Sequence, residues 1–338
     1  MGLVLMSKIP VIDKRSLLAI ISLFLIIFLA ACGNAGSASG DLKQVRLDYA
    51  YYSPASLVIK NKGWAEEAFK DQDIEVTWTL SQGSNKALEF LNSNSVDFGS
   101  TAGSAALLAK ANGNPIQGIY LASKPEWTAL VTSKDSEITD PADLKGKKIA
   151  ATVGTDPYIF LQRTLQDAGL EEQDVQIVNL QHADGASALL SGDVDAWAGL
   201  DPHMAKLELE NDAQLFYRNA DFNTYNFLNV REEFAENHPE EVKEVLKLYN
   251  KARAWIDENP EETAEILANE AGISQEVAVK QLERNDFSEA VPGEVQQEIL
   301  NQSGAVLEKA NLWKGSKAIA ETVDAYVEPK YAKELEEE

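Results

Sequence analysis

From Leu42 onward, apolar and polar positions switch repeatedly between a two-residue and a three-to-four-residue period. "VRLDYAYY" reads as a strand, and "SPASLVIKNKGWAEEAF" as a helix opened by Ser53 and Pro54. "IEVTWTL" predicts a second strand, and "SNKALEFLNSN" a helix after the turn at Gln82-Gly83. "VDFGSTAGSAALLAKANG", residues 96–113, supplies a third strand and helix, and "IQGIYLA" a fourth strand. Strand and helix alternate throughout, which predicts an α/β unit with a largely parallel sheet.

From Trp127 the pattern restarts. "TALVTS" reads as a strand, "DPADLKG" as a short capped helix stopped by Gly146, and "KKIAATV" as the next strand. "GTDPYIFLQRTLQDAGL" predicts a helix with Asp156 as N-cap, Pro157 at the first helical position and Gly169 as the stop. "VQIVNL" and "VDAWAGL" are two further strands with the helix "GASALLSGD" between them, so a second α/β unit is expected. Beyond "NFLNV" the chain turns helical. Val242, Leu246, Tyr249, Ala252 and Ile256 form one apolar stripe, and these helices are expected to pack on the first unit.

The amino terminus follows different rules. Lys8, Lys14 and Arg15 precede an apolar run from Leu17 to Ala31, shorter than the ~20 residues that span a bilayer and ending in small side chains. Residues 1–31 thus read as a secretory signal, with Met1 or Met6 as its start. Leu29-Ala30-Ala31-Cys32 resembles the lipobox of bacterial lipoproteins, which implies cleavage before Cys32 and a lipid on its thiol. Cys32 is the only cysteine, so no internal disulfide is expected. Residues 32–41 read as a flexible tether. The formal charge is −24, and −26 from Cys32 onward. That excess excludes nucleic acid as a partner and requires any anion to be attracted locally.

Such local attraction is available where a strand runs through small residues into a helix. The first turn of a helix leaves N–H groups unpaired and partly positive. At residues 96–113, Gly99, Ser100, Thr101 and Gly103 either cradle an oxyanion there or cap a helix that binds nothing. "ATVGTDPYIF" repeats the arrangement in the second unit, through Gly154 and Thr155. Two such units facing each other would form a cleft that a small anion bridges. Charge-assisted hydrogen bonds contribute roughly 1.5–3 kcal/mol each, so four, less ordering costs, reach the ~8 kcal/mol of a micromolar site. No buried Lys or Arg is required, and Lys124 and Arg163, the nearest in sequence, read as surface charges. His182, His203 and His238 show no paired metal spacing and read as surface or packing residues. No Gly-x-Ser-x-Gly nucleophile motif occurs. No enzyme, metal or cofactor is expected.

Residues 42–330 resemble the solute-binding proteins of ABC importers, of the aliphatic sulfonate, taurine and nitrate group. The resemblance is carried by "VDFGSTAGSAALLAKANG", "DPADLKGKKIAAT", the Gly154-Thr155 helix entry and "LLSGDVDAWAGLDPH". It implies an α/β, two-lobed type II periplasmic-binding-protein fold with hinge strands and the C-terminal helices on lobe 1. Lobe 1 would comprise residues 42–126 and 222–338, and lobe 2 residues 127–221. It further implies that sulfonate oxygens are held by Ser100, Thr101 and Thr155, beside Ala102 and Gly154, with the loop Tyr51-Tyr52-Ser53 lining the same cleft. The two tyrosines alternate faces if the strand continues, so one of them at most would point inward. Trp197 would either pack on the ligand's organic part or belong to the core. Asp201 would hold a substrate amine, fix a loop or cap a helix.

The chain departs from sulfonate members at Ala102-Gly103, where Gly-Glu is common, and at Leu200, where a second aromatic is frequent. The implied role is an extracytoplasmic receptor, lipid-anchored through Cys32 and monomeric, that captures an aliphatic sulfonate and delivers it to a permease and its ATPase. Taurine, nitrate or a thiamine-pyrimidine-like heterocycle is the alternative ligand; taurine would need a carboxylate, Asp201 or Asp156. Thiamine-pyrimidine synthases share this fold but resemble a binding protein with an added histidine and cysteine cluster, which this chain lacks. A surface adhesin would bind no small ligand at all.

Overall fold

The computed structural model describes residues 42–337. The expected signal, the tether and Cys32 lie outside the described residues. The chain opens with β1 (Gln44–Tyr49), α1 (Pro54–Asn61), α2 (Trp64–Phe69), β2 (Glu75–Leu80), α3 (Ser84–Asn92), β3 (Phe98–Ala102), α4 (Gly103–Ala111) and β4 (Ile116–Pro125). It then runs through β5 (Leu130–Thr132), β6 (Lys148–Ala151), α5 (Asp156–Asp167), β7 (Gln176–Asn179), α6 (His182–Ser191), β8 (Ala196–Ala198), α7 (His203–Asn211) and β9 (Gln214–Tyr217). After β10 (Asn226–Arg231) it is mainly helical: α8 (Glu232–Asn237), α9 (Pro239–Glu258), α10 (Pro260–Ala271), α11 (Gln275–Leu282), then the short β11 (Asn285–Asp286), α12 (Glu294–Lys309), α13 (Ile319–Tyr326) and α14 (Lys330–Glu337).

Among the described residues the strands form two sheets, ordered β11-β4-β10-β3-β1-β2 and β7-β6-β8-β5-β9. The expectation of largely parallel sheets is corrected here, because both are mixed. β1 pairs parallel with β2 and β3, but β10 lies antiparallel between β3 and β4. In the second sheet β6 pairs parallel with β7 and β8, while β5 is antiparallel to β8 and β9. β11 also runs antiparallel to β4, and the other reversed strands, β5 and β10, arrive from the other sheet. They are not returned by a helical crossover, which is what makes sequential strands parallel.

Two segments, residues 126–129 and 218–225, connect the sheets, and they are tied to each other. The Thr128 amide donates to Asn223 Oδ1 at 2.9 Å, and Arg218 makes paired contacts of 2.9 and 2.7 Å with Glu126. Asp156 joins them. Its carboxylate accepts from Trp127 Nε1 (2.8 Å), from the Thr224 amide and hydroxyl (3.0 and 2.9 Å) and from the Ser104 hydroxyl. Asp156 is therefore the first residue of α5 rather than its N-cap, a position that Thr155 takes. Its oxygens are saturated within the protein, which rules out the amine-holding role considered for it.

The stripe on α9 packs as expected. Val242, Leu246, Tyr249, Ala252 and Ile256 are buried in one cluster with Leu47, Phe98 and Ile119 of the first sheet. The second sheet has its own clusters, around Ile149, Phe160 and Ala196 on one face and Ala150, Trp197 and Leu189 on the other.

Candidate functional site

A cavity of about 190 Å³ opens between elements of the two sheets. Tyr51 and Tyr52, following β1, and Ser81 and Gln82, following β2, form one wall. Gln181, His182, Ala183 and Asp184 at the start of α6, with Leu200, Asp201, Pro202 and His203 leading into α7, form the other. Each lining segment follows the carboxyl end of a strand, where helix entrances converge in open α/β sheets. No lysine or arginine lines the cavity.

The walls approach closely at Gly83, the residue before α3. A Cβ there would stand 2.8 Å from His182 Nε2, so glycine permits the imidazole to reach this entrance. Gly154, with φ +82°, faces the same helix start, the nearest atom to its would-be Cβ being Asn85 Cβ at 3.8 Å. Asn85 Oδ1, Gln181 Oε1 and His182 Nε2 are buried, yet none has a hydrogen-bond partner, while the Ser81 hydroxyl is held by the Asp48 carboxylate. Buried polar atoms are rarely left unpaired, so three in one place mark where a polar guest fits. Asn85 and Gln181 can present either amide oxygen or amide nitrogen by a side-chain flip.

Burial shifts the titratable groups here. It holds the His182 imidazole down at about 3, with His203 adding a smaller repulsion. It pushes Asp201 up to about 6, against the stabilising charge of Arg284. Behind the tyrosine wall it pushes Asp48 up to about 7, although the Ser100 amide partly offsets this.

Of the residues singled out in the sequence, Tyr52 and Asp201 line the cavity. Tyr52 donates from its hydroxyl to the Ser100 carbonyl (2.9 Å) and lies edge-on to Trp127. Tyr51 lines the cavity as well, which corrects the alternation argument: β1 ends at Tyr49, and the two tyrosines sit in a turn. Asp201 accepts from the Ala205 amide at 2.8 Å and from Arg284 at 3.1 Å, so it fixes the loop and the start of α7. Its Oδ1 takes two of these bonds and its Oδ2 one.

Ser53, Ser100, Thr101 and Ala102 face inward instead. Ser53 Oγ donates to Ser100 Oγ (3.2 Å), Thr101 Oγ1 accepts from Asn229 Nδ2 (2.9 Å), and the Ala102 amide donates to Ser84 Oγ (3.0 Å). The physical reason is that β3 continues through Ala102, so the helix begins only at Gly103. The first amides of α4, Gly103 and Ser104, are then taken by Tyr225 O (3.0 Å) and Thr224 Oγ1 (3.2 Å). Trp197 is fully buried in the second-sheet core against Gly185, so the core alternative is the one realised.

Gly154 borders the gap, whereas Thr155 donates from Oγ1 to the Thr152 carbonyl at 2.6 Å and closes its own turn. Thr155→Ala is accordingly expected to lower stability by about 0.5–1.5 kcal/mol in urea unfolding while changing ligand affinity little.

His182 is a buried packing residue, and it also lines the cavity. The stretches missed are Ser81–Asn85 and Gln181–His182. Both show the signal used elsewhere, a strand followed by small or polar residues and then a helix, in "TWTLSQGSNKAL" and "IVNLQHADGAS".

Residues 53–263 match the family model described as NMT1/THI5 like. A putative aliphatic sulfonates-binding protein of Bacillus subtilis is 30% identical over 81% of this chain and 83% of its own. A protein of the same description from Escherichia coli is 28% identical over 85% of this chain and 90% of its own. Among solved structures, the alkanesulfonate-binding protein of Xanthomonas axonopodis pv. citri bound to MOPS superposes with a TM-score of 0.76 at 23% identity, covering 86% of this chain and 99% of that one. The folds thus correspond, and the architecture is that of periplasmic binding proteins.

Proposed function

The chain belongs to the NMT1/THI5-like family, and from that premise we propose that it is the solute-binding receptor of an ABC importer that captures a small organosulfonate. The lobes are residues 42–126 with 222–338, and 127–221. They close on the ligand about the two connecting segments and hand it to a permease driven by an ATPase. A lipid on Cys32, exposed by removal of residues 1–31, holds the receptor at the extracytoplasmic face of the membrane as a monomer. The protein binds and releases its ligand unchanged.

The observation that carries this reading is the meeting of partnerless polar atoms of Gln181 and His182, which line the cavity, with that of Asn85 beside Gly83. Its 190 Å³ lies below the ~300–1,000 Å³ of sites for drug-sized ligands, which suits a solute of a few carbons. The sulfonate head takes the polar end, where the entrances of α3 and α6 add their first-turn amides. The alkyl part lies against Tyr52, Leu200 and Pro202. Relatives named for aliphatic sulfonates support this choice over other anions.

Calorimetry with alkanesulfonates, taurine, nitrate and thiamine precursors tests the reading. Micromolar binding of short alkanesulfonates is expected; binding of a neutral heterocycle alone overturns it. Asn85→Ala is expected to weaken sulfonate binding by about 1–3 kcal/mol in the same titration.

A further inference from the structure

We propose that a sulfonate is bound together with one proton, taken from solvent onto Nε2 of His182 and returned on release. This rests on the sulfonate-receptor reading above.

The argument starts from hydrogen positions. Thr152 Oγ1 lies 2.7 Å from the Leu180 carbonyl and commits its single hydrogen there. It also lies 3.2 Å from His182 Nδ1, so that contact requires Nδ1–H to donate. The tautomer follows from these partners. In the neutral ring Nε2 is then a bare lone pair, and this buried, unpartnered atom packs against Gly83 at the margin of the cavity that His182 lines. A lone pair repels an anion's oxygen. Protonation turns the same atom into a charged donor while Nδ1–H keeps Thr152.

The surroundings permit the change. Asp184 on the same helix, Asp201 and His203 before α7, and Tyr51 and Tyr52 opposite line the cavity with His182. Behind them stand Asp48, Lys206, Glu208 and Arg284. Asp201 is matched by Arg284, which also reaches Glu208, so no unpaired cation of this group is placed against the ring except a charged His203. Burial keeps His182 neutral in the empty cleft; an anion at hydrogen-bond distance opposes that penalty and raises its proton affinity. A sulfonate stays ionised across the accessible pH range, so a proton taken up resides on the protein.

Ethanesulfonate titrated into the protein at pH 5.5, in two buffers of different ionisation enthalpy, reads the coupling directly. The expected result is uptake of up to one proton per anion, with affinity rising toward low pH by up to tenfold per unit. The direction follows because the bound-state proton affinity is the higher one: coupling is present between the free and bound values and vanishes above the bound value. Asp48 and Asp201 also titrate in this region, so ¹⁵N NMR of the imidazole assigns the proton: an Nδ1–H neutral ring in the free protein and an imidazolium in the complex. His182→Gln, which donates without titrating, is expected to abolish the histidine's share of the uptake. The NMR readout uses the unaltered chain and stands even if that variant fails to fold. Ethanesulfonate bound to a ring that stays neutral, in either tautomer, overturns the proposal. Absence of binding by every alkanesulfonate overturns the receptor reading and this proposal with it.

Discussion

Arg284→Ala is expected to weaken ligand binding by tenfold or more and to cost about 3–5 kcal/mol of stability at pH 8, because it strands a buried carboxylate. Arg284 follows α11 on the first-sheet side of the molecule. It contacts both oxygens of Asp201 at 3.1 Å and also Glu208, both from the second-sheet side. Asp201 is 1% exposed, so water cannot replace the guanidinium. The variant should also carry a distinctive pH signature. Burial already raises the folded-state pKa of Asp201 to about 6, and Arg284 is the group that restrains it. Without Arg284 the value rises further. A carboxyl whose folded pKa exceeds its unfolded value (~3.9) destabilises the fold fully above the folded pKa and not at all below the unfolded one. The deficit of Arg284→Ala is therefore expected to be large at pH 8 and to shrink steadily toward pH 4, as urea unfolding across that range would read. Asp201→Asn in the same background is expected to recover much of the loss at pH 8, because the stranded charge is gone. Small-angle scattering should show the variant's lobes more separated under ligand, since this cluster links the two sides of the cavity. An unchanged radius and a pH-independent deficit would contradict the assignment.

Asp156→Ala is expected to cost about 3–5 kcal/mol, the largest loss anticipated from a residue that does not line the cavity. The residue is 2% exposed and its carboxylate gathers donors from α4 and from both connecting segments, the indole of Trp127 in one and Thr224 in the other. Truncation leaves those donors buried and unpaired, and each carries its own desolvation cost. The urea midpoint should fall with an unchanged denaturant slope, because the same surface is exposed on unfolding. Asp156→Asn should be nearly as damaging, since its amide NH₂ would meet donors where the carboxylate accepts. A variant that unfolds like the parent would show that the connecting segments are held by other contacts.

Much of the chain was legible without coordinates. The two α/β units, the restart at Trp127, the helix entries at Pro54 and Pro157 and the stripe from Val242 to Ile256 all correspond to observed elements. Each rests on interactions within a few residues: a period of two or 3.6, a proline at a helix start, a glycine at its end. The idea that helix entrances from two units face a shared gap also came from local pattern, because strand carboxyl ends collect such entrances in this architecture.

Which entrances do so was decided by tertiary structure. The glycine- and hydroxyl-rich junction at Gly99–Ser104 has the stronger sequence pattern, yet β3 is central in its sheet, so the junction is covered and its amides are consumed by Thr224 and Tyr225. The plainer "SQGSN" follows β2, an edge strand, and opens onto the cavity opposite His182. Strand order is set by the reversed strands β5 and β10, which come from the other sheet and leave no periodic mark. The same limit applies to side-chain fate: Trp197, Asp156 and His182 are each an apolar ring, an acid or an imidazole beside a helix or strand, and only their neighbours across the fold bury Trp197 in the core, make Asp156 a tie and set His182 on the cavity wall. Local physics thus chose the elements and the kind of site, whereas long-range pairing, invisible to any short window, selected the residues that form it.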